Sequence, residues 1–198
     1  MPNIKELKDR FVSIYQENIT RPGSKNLLNY LLSESCDFFV APASSKHNGA
    51  YEGGLCEHSI QVYDCLKDYL ERSKVTYEYG LSYPEETIAI TALLHDLCKI
   101  NIFDINYNTI KNENNETEKI ASFENHDTLP YGHGEKSVYI INNYMRLTRE
   151  EAMAIRWHMG FSGCENKNTI RSALKMYPLA LAVHIADMES IYYIEGKQ

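Results

Sequence analysis

The chain has 198 residues, a length that allows one domain with a complete hydrophobic core. Its formal net charge of -7 argues against long nucleic acid as the main partner, because such binding requires clustered Lys and Arg side chains and the sequence has no such cluster. A small substrate that carries a few phosphates is compatible with this charge, since only a local positive site is needed.

No apolar run reaches the roughly 20 residues that span a bilayer, and the first residues alternate charged and apolar side chains, unlike a signal peptide. The five cysteines are scattered along the chain without a CxxC pair, which is typical of reduced thiols and not of a disulfide framework. We therefore expect a cytoplasmic protein that has no membrane partner.

Most of the chain has the apolar spacing of helices, and no Pro/Gly-rich linker divides it, so a single domain over residues 1–198 is expected. Residues 37–54 predict an ordered loop, since they are rich in Ala, Ser, Pro and Gly but carry aromatic side chains that need burial. The predicted helices cover about residues 4–16, 26–33, 54–73, 84–96, 134–145, 148–158 and 177–193.

Two predicted elements depart from the amphipathic pattern. The helix that begins near Pro84 is apolar on nearly all sides, so we expect it to lie buried at the centre of the fold. Residues 103–111 and 119–123 flank an Asn/Glu-rich turn and predict a small β-hairpin at about residues 102–123. The expected fold class is all-α, a helical bundle with this one hairpin.

Histidine and aspartate side chains recur near the ends of the most apolar helices. Burying an ionised Asp in such a setting is costly unless a cation or hydrogen bonds compensate. Imidazole and carboxylate ligands together suit Zn, Fe, Mn or Co, whereas a shell of oxygen ligands would suit Mg or Ca. The residues concerned are His58, His95, Asp96, His133, His158 and Asp187.

A lone His-Asp dipeptide is weak evidence for a metal site, and the chain contains two of them. The pair His95-Asp96 directly follows an apolar run on the buried helix, whereas the pair His126-Asp127 lies in a polar segment that we interpret as solvated surface. A structural hydrogen bond within one buried pair is the alternative. What favours the metal site is the ordered set of histidines and aspartates as a whole.

This ordered set resembles the HD-domain superfamily of metal-dependent phosphohydrolases. The matching segments are GGLCEHS around His58, ALLHDLCKI around His95-Asp96 and HIADMES around Asp187. The stretch FFVAPASSKHNGAYEGGLCEHS also resembles the entry into the HD domain of YhaM-type exoribonucleases. The order that includes two further histidines resembles YqeK-type diadenosine tetraphosphate hydrolases as well.

The resemblance covers roughly residues 37–192 and implies an HD-type core on which the helices of residues 1–36 pack. It also implies two divalent transition-metal ions as cofactors, chosen from Mn, Fe, Co, Ni and Zn, so that catalysis needs no protein nucleophile. The implied ligands are His58, His95, Asp96 and Asp187 for the first ion and His133 and His158 for the second, with Asp96 as the bridge.

Two lysines are candidates for contact with a substrate phosphate. Lys99 follows Asp96 by three residues, where HD proteins often have a lysine, and the resemblance implies catalytic roles for both. A solvated lysine that complements a helix dipole is the alternative for Lys99. Lys136 stands one turn after His133, and a simple surface pair with Glu135 is its alternative.

The leading hypothesis is hydrolysis of a phosphoester or phosphoanhydride bond, by metal-activated water, in a nucleotide or a similar small phosphorylated substrate. One alternative is a nucleotide-sensing HD module that binds metal and ligand without turnover. Another is an exonuclease-like phosphodiesterase that acts on short nucleic acid, and a third is a helical interaction domain with packed histidines.

Overall fold

Helices form most of this computed structural model, which describes residues 3–46, 48–111, 117–163 and 165–195. The α-helices are α1 (Ile4–Asn18), α2 (Ser24–Leu31), α3 (Gly54–Glu71), α4 (Glu85–Leu93), α5 (His133–Asn142), α6 (Arg149–Trp157), α7 (Lys167–Met176) and α8 (Pro178–Glu189). The strands β1 (Phe103–Lys111) and β2 (Thr117–Asn125) form an antiparallel pair. The prediction of an all-α bundle with a small hairpin is confirmed.

Helix α4 lies at the centre of the bundle, as its apolar sequence predicts. Every side chain from Ile88 to Leu93 is buried. The helix contacts α1, α3 and α6, so it has no solvent-facing side over that stretch. Helix α8 is almost as apolar and packs against α3 and α6. The ends of these buried helices therefore meet inside the protein.

Helix α4 ends earlier than the sequence predicts. Its last residue is Leu93, and Leu94 leaves the helical conformation with φ -117 and ψ 3. His95 and Asp96 consequently occupy the turn that leads into a short 3-10 helix, Leu97–Lys99. The predicted placement of this pair within the helix is corrected by one turn. Because the two residues lie in a turn, their side chains are not separated by the rotation of about 100° between neighbours in an α-helix. Both can therefore point toward the same side of the chain.

The last predicted helix is also divided. Helix α8 ends at Glu189, and the chain continues as one π-helical turn, Ser190–Ile194. Helix α7 lies outside the predicted helices; Asn166 caps its start, and Ile170 and Ala173 are its buried residues. The capping box that opens α6 is present as predicted, with Thr148 and Glu151 each accepting from the other's backbone N–H.

The loop between α2 and α3 is ordered by its aromatic residues. Phe38 and Phe39 are buried, and both rings pack against Phe11 of α1. The loop lies so close to the start of α3 that a Cβ on Gly54 would collide with the carbonyl of Gly49. The loop thus fixes where α3 begins.

Within the described ranges, no helix combines the length and hydropathy that crossing a membrane requires.

A buried ion pair joins the turn after α1 to the first turns of α4 and α6. Both guanidinium nitrogens of Arg21 donate to the Glu151 carboxylate, at 2.7 Å each, and one of them reaches Glu86 at 3.1 Å. Glu151 is fully buried. Burial would raise the pKa of Glu151, but the hydrogen bond from Arg21 and those from Thr148 and Thr87 lower it.

We expect Arg21→Met to destabilise the protein by about 2 kcal/mol or more, because it leaves the Glu151 carboxylate buried without its cation. The matched control is Arg10→Met, since the Arg10–Asp64 pair is about half exposed, with side-chain exposures of 53% and 45%. Arg10→Met should lower the free energy of unfolding by less than about 1 kcal/mol. Urea unfolding of both variants measures the difference.

The same variants give a pH test. The pKa of Glu151 is lowered in the folded protein, so its pairing stabilises the fold above the usual glutamate pKa and this contribution is lost as the pH falls through the folded value. The stability gap between wild type and Arg21→Met should therefore shrink in acid. A gap that stays constant from neutral to strongly acidic pH would contradict this account of the ion pair.

Candidate metal centre

Five parts of the bundle bring the six predicted ligands together. His58 lies in the second turn of α3, His133 is the first residue of α5, and His158 directly follows α6. Asp187 comes from the last turns of α8, and the turn after α4 supplies His95-Asp96. Five of the six residues are buried, and the sixth, His133, is exposed at 37% of its side chain.

One half of the cluster surrounds His58. Its Nε2 lies 3.2 Å from His95 Nε2 and 3.3 Å from Asp187 Oδ1. These three residues each offer one ligand atom, and the atoms lie within 4.8 Å of one another. Two imidazole nitrogens and one carboxylate oxygen at such separations are a suitable donor set for a divalent transition metal.

Asp96 occupies the position between the two halves. Its Oδ2 lies 3.5 Å from His95 Nε2 and 3.7 Å from His58 Nε2. Its Oδ1 lies 2.8 Å from His133 Nε2 and 3.4 Å from His158 Nε2. The two oxygens of one carboxylate thus face different pairs of histidines, the arrangement that a bridging ligand requires.

Backbone carbonyls orient two of the imidazoles. His95 Nδ1 donates to Ala92 O at 2.8 Å, and His158 Nδ1 donates to Ile155 O at 2.7 Å. In both residues the proton lies on Nδ1, so Nε2 presents its lone pair to the cluster. His158 Nε2 is buried and makes no hydrogen bond within the described residues. A buried nitrogen that can accept but has no hydrogen-bond donor is suited to binding a metal ion.

The charges of the cluster are strongly coupled. Burial lowers the pKa of His95 to about 3, so this imidazole is neutral near pH 7. Burial would also lower the pKa of His58, but hydrogen bonds to the Asp187 and Glu195 carboxylates raise it to about 9. The carboxylates therefore stabilise a positive charge at this point of the cluster.

The two aspartates are ionised despite their burial. Burial would raise the pKa of Asp187, but its contact with His58 lowers it to about 2. Burial would raise the pKa of Asp96 too, but Lys99 and the neighbouring imidazoles hold it well below its usual range. Two buried carboxylates that lie close to several imidazole nitrogens form a site that a divalent cation would stabilise.

The two lysines are placed differently. Lys99 Nζ lies 2.6 Å from Asp96 Oδ2 and lines the cavity above the cluster. Lys136 is buried, and its Nζ pairs instead with Asp127 Oδ1 at 2.5 Å. Lys136 is not among the residues that line this cavity. The structure therefore does not bring Lys136 to the candidate site, and its expected partner Glu135 pairs with Arg156.

The second His-Asp pair is separate from the cluster. His126 is exposed at 57% of its side chain and lies near Asp104 on the hairpin, as a solvated histidine would. Asp127 is exposed as predicted, and it also accepts a hydrogen bond from the ammonium of Lys136, which ties down the segment before α5. Sequence alone did not reveal this pairing.

A cavity of about 670 Å³ opens above the cluster. His58, Asp96, His133 and Asp187 form its polar floor, and Lys99 lies at the edge of that floor. The walls come from the loop before α3, the start of the hairpin and the C-terminal turn. The larger apolar residues of the cavity lining are Ile102, Phe103, Met159, Met188, Ile191 and Tyr192. This volume is typical of sites for small organic ligands.

Two residues at the site were missed by the sequence analysis. Glu195 accepts a hydrogen bond from His58 Nδ1 at 2.7 Å, although 137 positions separate them. Cys98 is buried, and its Sγ lies 3.5 Å from His133 Nδ1 and 3.9 Å from Asp96 Oδ1. Burial raises the pKa of this thiol to about 12, so it is protonated as it stands. Cys98 lies within the segment ALLHDLCKI but is a lone cysteine there, and Glu195 lies outside all of the segments that carry the resemblance.

Comparison with known families agrees with this geometry. The family model described as the HD domain matches residues 55–189, more than half of the chain. The chain belongs to the HD-domain family. HD domains are metal-dependent hydrolases that bind divalent metals, so the His/Asp cluster of this HD domain is the candidate metal centre. No curated protein and no solved structure matches the chain.

We expect the purified HD domain to retain about two equivalents of Mn²⁺ after gel filtration, and His158→Ala to retain about one. The reason is that His158 stands on the Asp96 Oδ1 side, with its Nε2 free of hydrogen bonds. Elemental analysis measures the stoichiometry.

The matched control is His126→Ala, which removes the histidine of the solvated His-Asp pair and should leave the metal content unchanged. Thermal unfolding gives a second readout, because a ligand at about 100 times its Kd stabilises the fold by about 2.7 kcal/mol. Undiminished Mn²⁺ content in His158→Ala would contradict its assignment as a ligand.

Proposed function

We propose that this chain hydrolyses a phosphoester or phosphoanhydride bond in a small phosphorylated substrate of the nucleotide type. The observation that carries the proposal is the position of Asp96 on the floor of an open cavity, with one oxygen toward His58 and His95 and the other toward His133 and His158. The proposed ligands are these five residues and Asp187, and the proposed cofactor is a pair of divalent transition-metal ions.

Bound divalent ions supply two things to such a reaction: they lower the pKa of a water molecule, and they neutralise charge on the phosphate. Hydrolysis of such a bond would join a water oxygen to phosphorus and break the bond from phosphorus to the leaving oxygen. The water proton ends on solvent or on the leaving oxygen, so that an alcohol or a phosphate departs. No covalent intermediate with the protein is needed.

Lys99 is the proposed phosphate-binding residue. Burial would lower its pKa, but the Asp96 carboxylate raises it above the usual lysine value, so the ammonium is charged near pH 7. Its Nζ lies beside Asp96 at the edge of the cavity floor, where a phosphate oxygen of the substrate would arrive. A fixed positive charge at this point favours the transition state, in which negative charge develops on the phosphoryl oxygens.

The walls of the cavity support a substrate that carries an organic group. Phe103 and Tyr192 offer aromatic surface, and Ile102 and Met188 add aliphatic surface to the same cavity. A nucleoside presents a flat base and a polar sugar, which suit apolar walls that include amide groups such as Asn125. Inorganic phosphate or pyrophosphate would leave this apolar surface unused.

We expect Lys99→Met to lower kcat/KM by about 100-fold while the Mn²⁺ content stays that of the wild type, because one charged contact to the transition state is lost. The assay is hydrolysis of nucleoside mono- and polyphosphates, dinucleoside polyphosphates and a nitrophenyl phosphodiester by the Mn²⁺-loaded protein.

The control is Lys67→Met, since Lys67 pairs with Glu85 on the surface and does not line the cavity. It should keep the wild-type rate. Loaded wild type that binds nucleotide tightly without cleaving any compound of the panel would contradict the enzymatic function and favour a sensing module.

A further inference from the structure

A carboxylate from the C-terminal turn holds one of the histidines of the cluster. Glu195 Oε1 accepts from His58 Nδ1 at 2.7 Å, and both side chains are almost fully buried, with 4% exposure each. Glu195 lies beyond residues 55–189, the part of the chain that matches the HD-domain model. It also lines the cavity, but it belongs to none of the His/Cys/Asp/Glu groups among the described residues that could hold a metal ion.

The contact determines which nitrogen of His58 faces the cluster. An imidazole whose Nδ1–H is engaged by an acceptor directs Nε2 outward as a ligand atom. In His58 this Nε2 points to His95 and Asp187. His95 and His158 are held in the same way, but by neutral backbone carbonyls. The acceptor for His58 is a charged carboxylate, which forms the stronger hydrogen bond.

The position of Glu195 depends on the π-helical turn after α8. Ser190 begins this turn, and its Oγ lies 3.1 Å from Glu195 Oε1 and 3.1 Å from Gln61 Oε1 on α3. One wide turn therefore brings the carboxylate from the end of α8 back to α3, where His58 stands. Single π-helical turns often occur at functional sites, since they redirect side chains.

We propose that Glu195 is a positioning residue that orients His58 toward the first metal ion and strengthens its binding. The inference rests on the proposed function in that it takes the cluster to be a metal centre. A carboxylate behind a ligating histidine fixes the ring and increases its basicity, and loss of such a partner costs 10- to 100-fold in metal affinity in other proteins. We expect an effect of that size here.

The test is Co²⁺ affinity, measured by competition with a chromophoric chelator in wild type, Glu195→Ala and Glu195→Gln. Glu195→Ala removes the acceptor and should weaken Co²⁺ binding by about 10- to 100-fold. Glu195→Gln keeps the shape and a neutral acceptor, so its affinity should lie between the two. The matched control is Glu189→Gln on the same segment, because Glu189 pairs with Arg72 away from the cluster. It should bind Co²⁺ as the wild type does.

The outcomes separate this inference from the proposed function. If wild type binds Co²⁺ and Glu195→Ala binds it equally well, Glu195 has no positioning role, whereas the metal centre stands. A lower melting temperature of metal-free Glu195→Ala with an unchanged Co²⁺ affinity would also overturn the inference, because it indicates an anchor for the C-terminal segment. If Glu195→Ala does not fold, Glu195→Gln decides: weaker binding supports the proposal and unchanged binding overturns it. Wild type that binds no Co²⁺ would overturn the proposed function itself.

Discussion

The rest of the site depends on the burial of the Asp96 carboxylate among imidazoles. A buried anion is costly unless cations or donors surround it, and here four histidines and Lys99 do so. Burial keeps His95 neutral, whereas His58 and Lys99 carry positive charge near the two aspartates. HD domains bind divalent metals, and the buried carboxylate and imidazole ligand atoms of this cluster are suited to such an ion.

The bundle supports this cluster by ending its helices in one place. Helix α4 ends at Leu93, and the turn that follows directs the side chains of both His95 and Asp96 into the cluster. Helices α3 and α6 both pack on α8, so that residues far apart in the chain become neighbours there. The Arg21–Glu151 pair lies at a different part of α6 and stabilises the bundle without contributing to the site. Stability and chemistry thus depend on separate ionic groups.

Much of this could be predicted from the sequence, and the exceptions have physical reasons. The apolar run before His95-Asp96 indicated a buried pair, which local composition also distinguished from His126-Asp127. The pairing of Lys136 with Asp127 could not be predicted, because it depends on how the segment before α5 folds back. The contact between Glu195 and His58 could not be predicted for a similar reason. It joins residues 137 positions apart, and a π-helical turn brings Glu195 to His58. Local periodicity indicates helices and their buried faces. Side-chain pairs between distant segments can be identified only from the three-dimensional structure.

The most direct test of the central claim is anomalous diffraction from crystals of the protein soaked with Mn²⁺. Two anomalous peaks are expected among the six proposed ligands, one on each side of Asp96, with one carboxylate oxygen toward each peak. Asp96→Asn crystals treated in the same way should lose at least one of them. Mn²⁺ peaks confined to surface carboxylates, with none at Asp96, would contradict the proposed bridging role of Asp96.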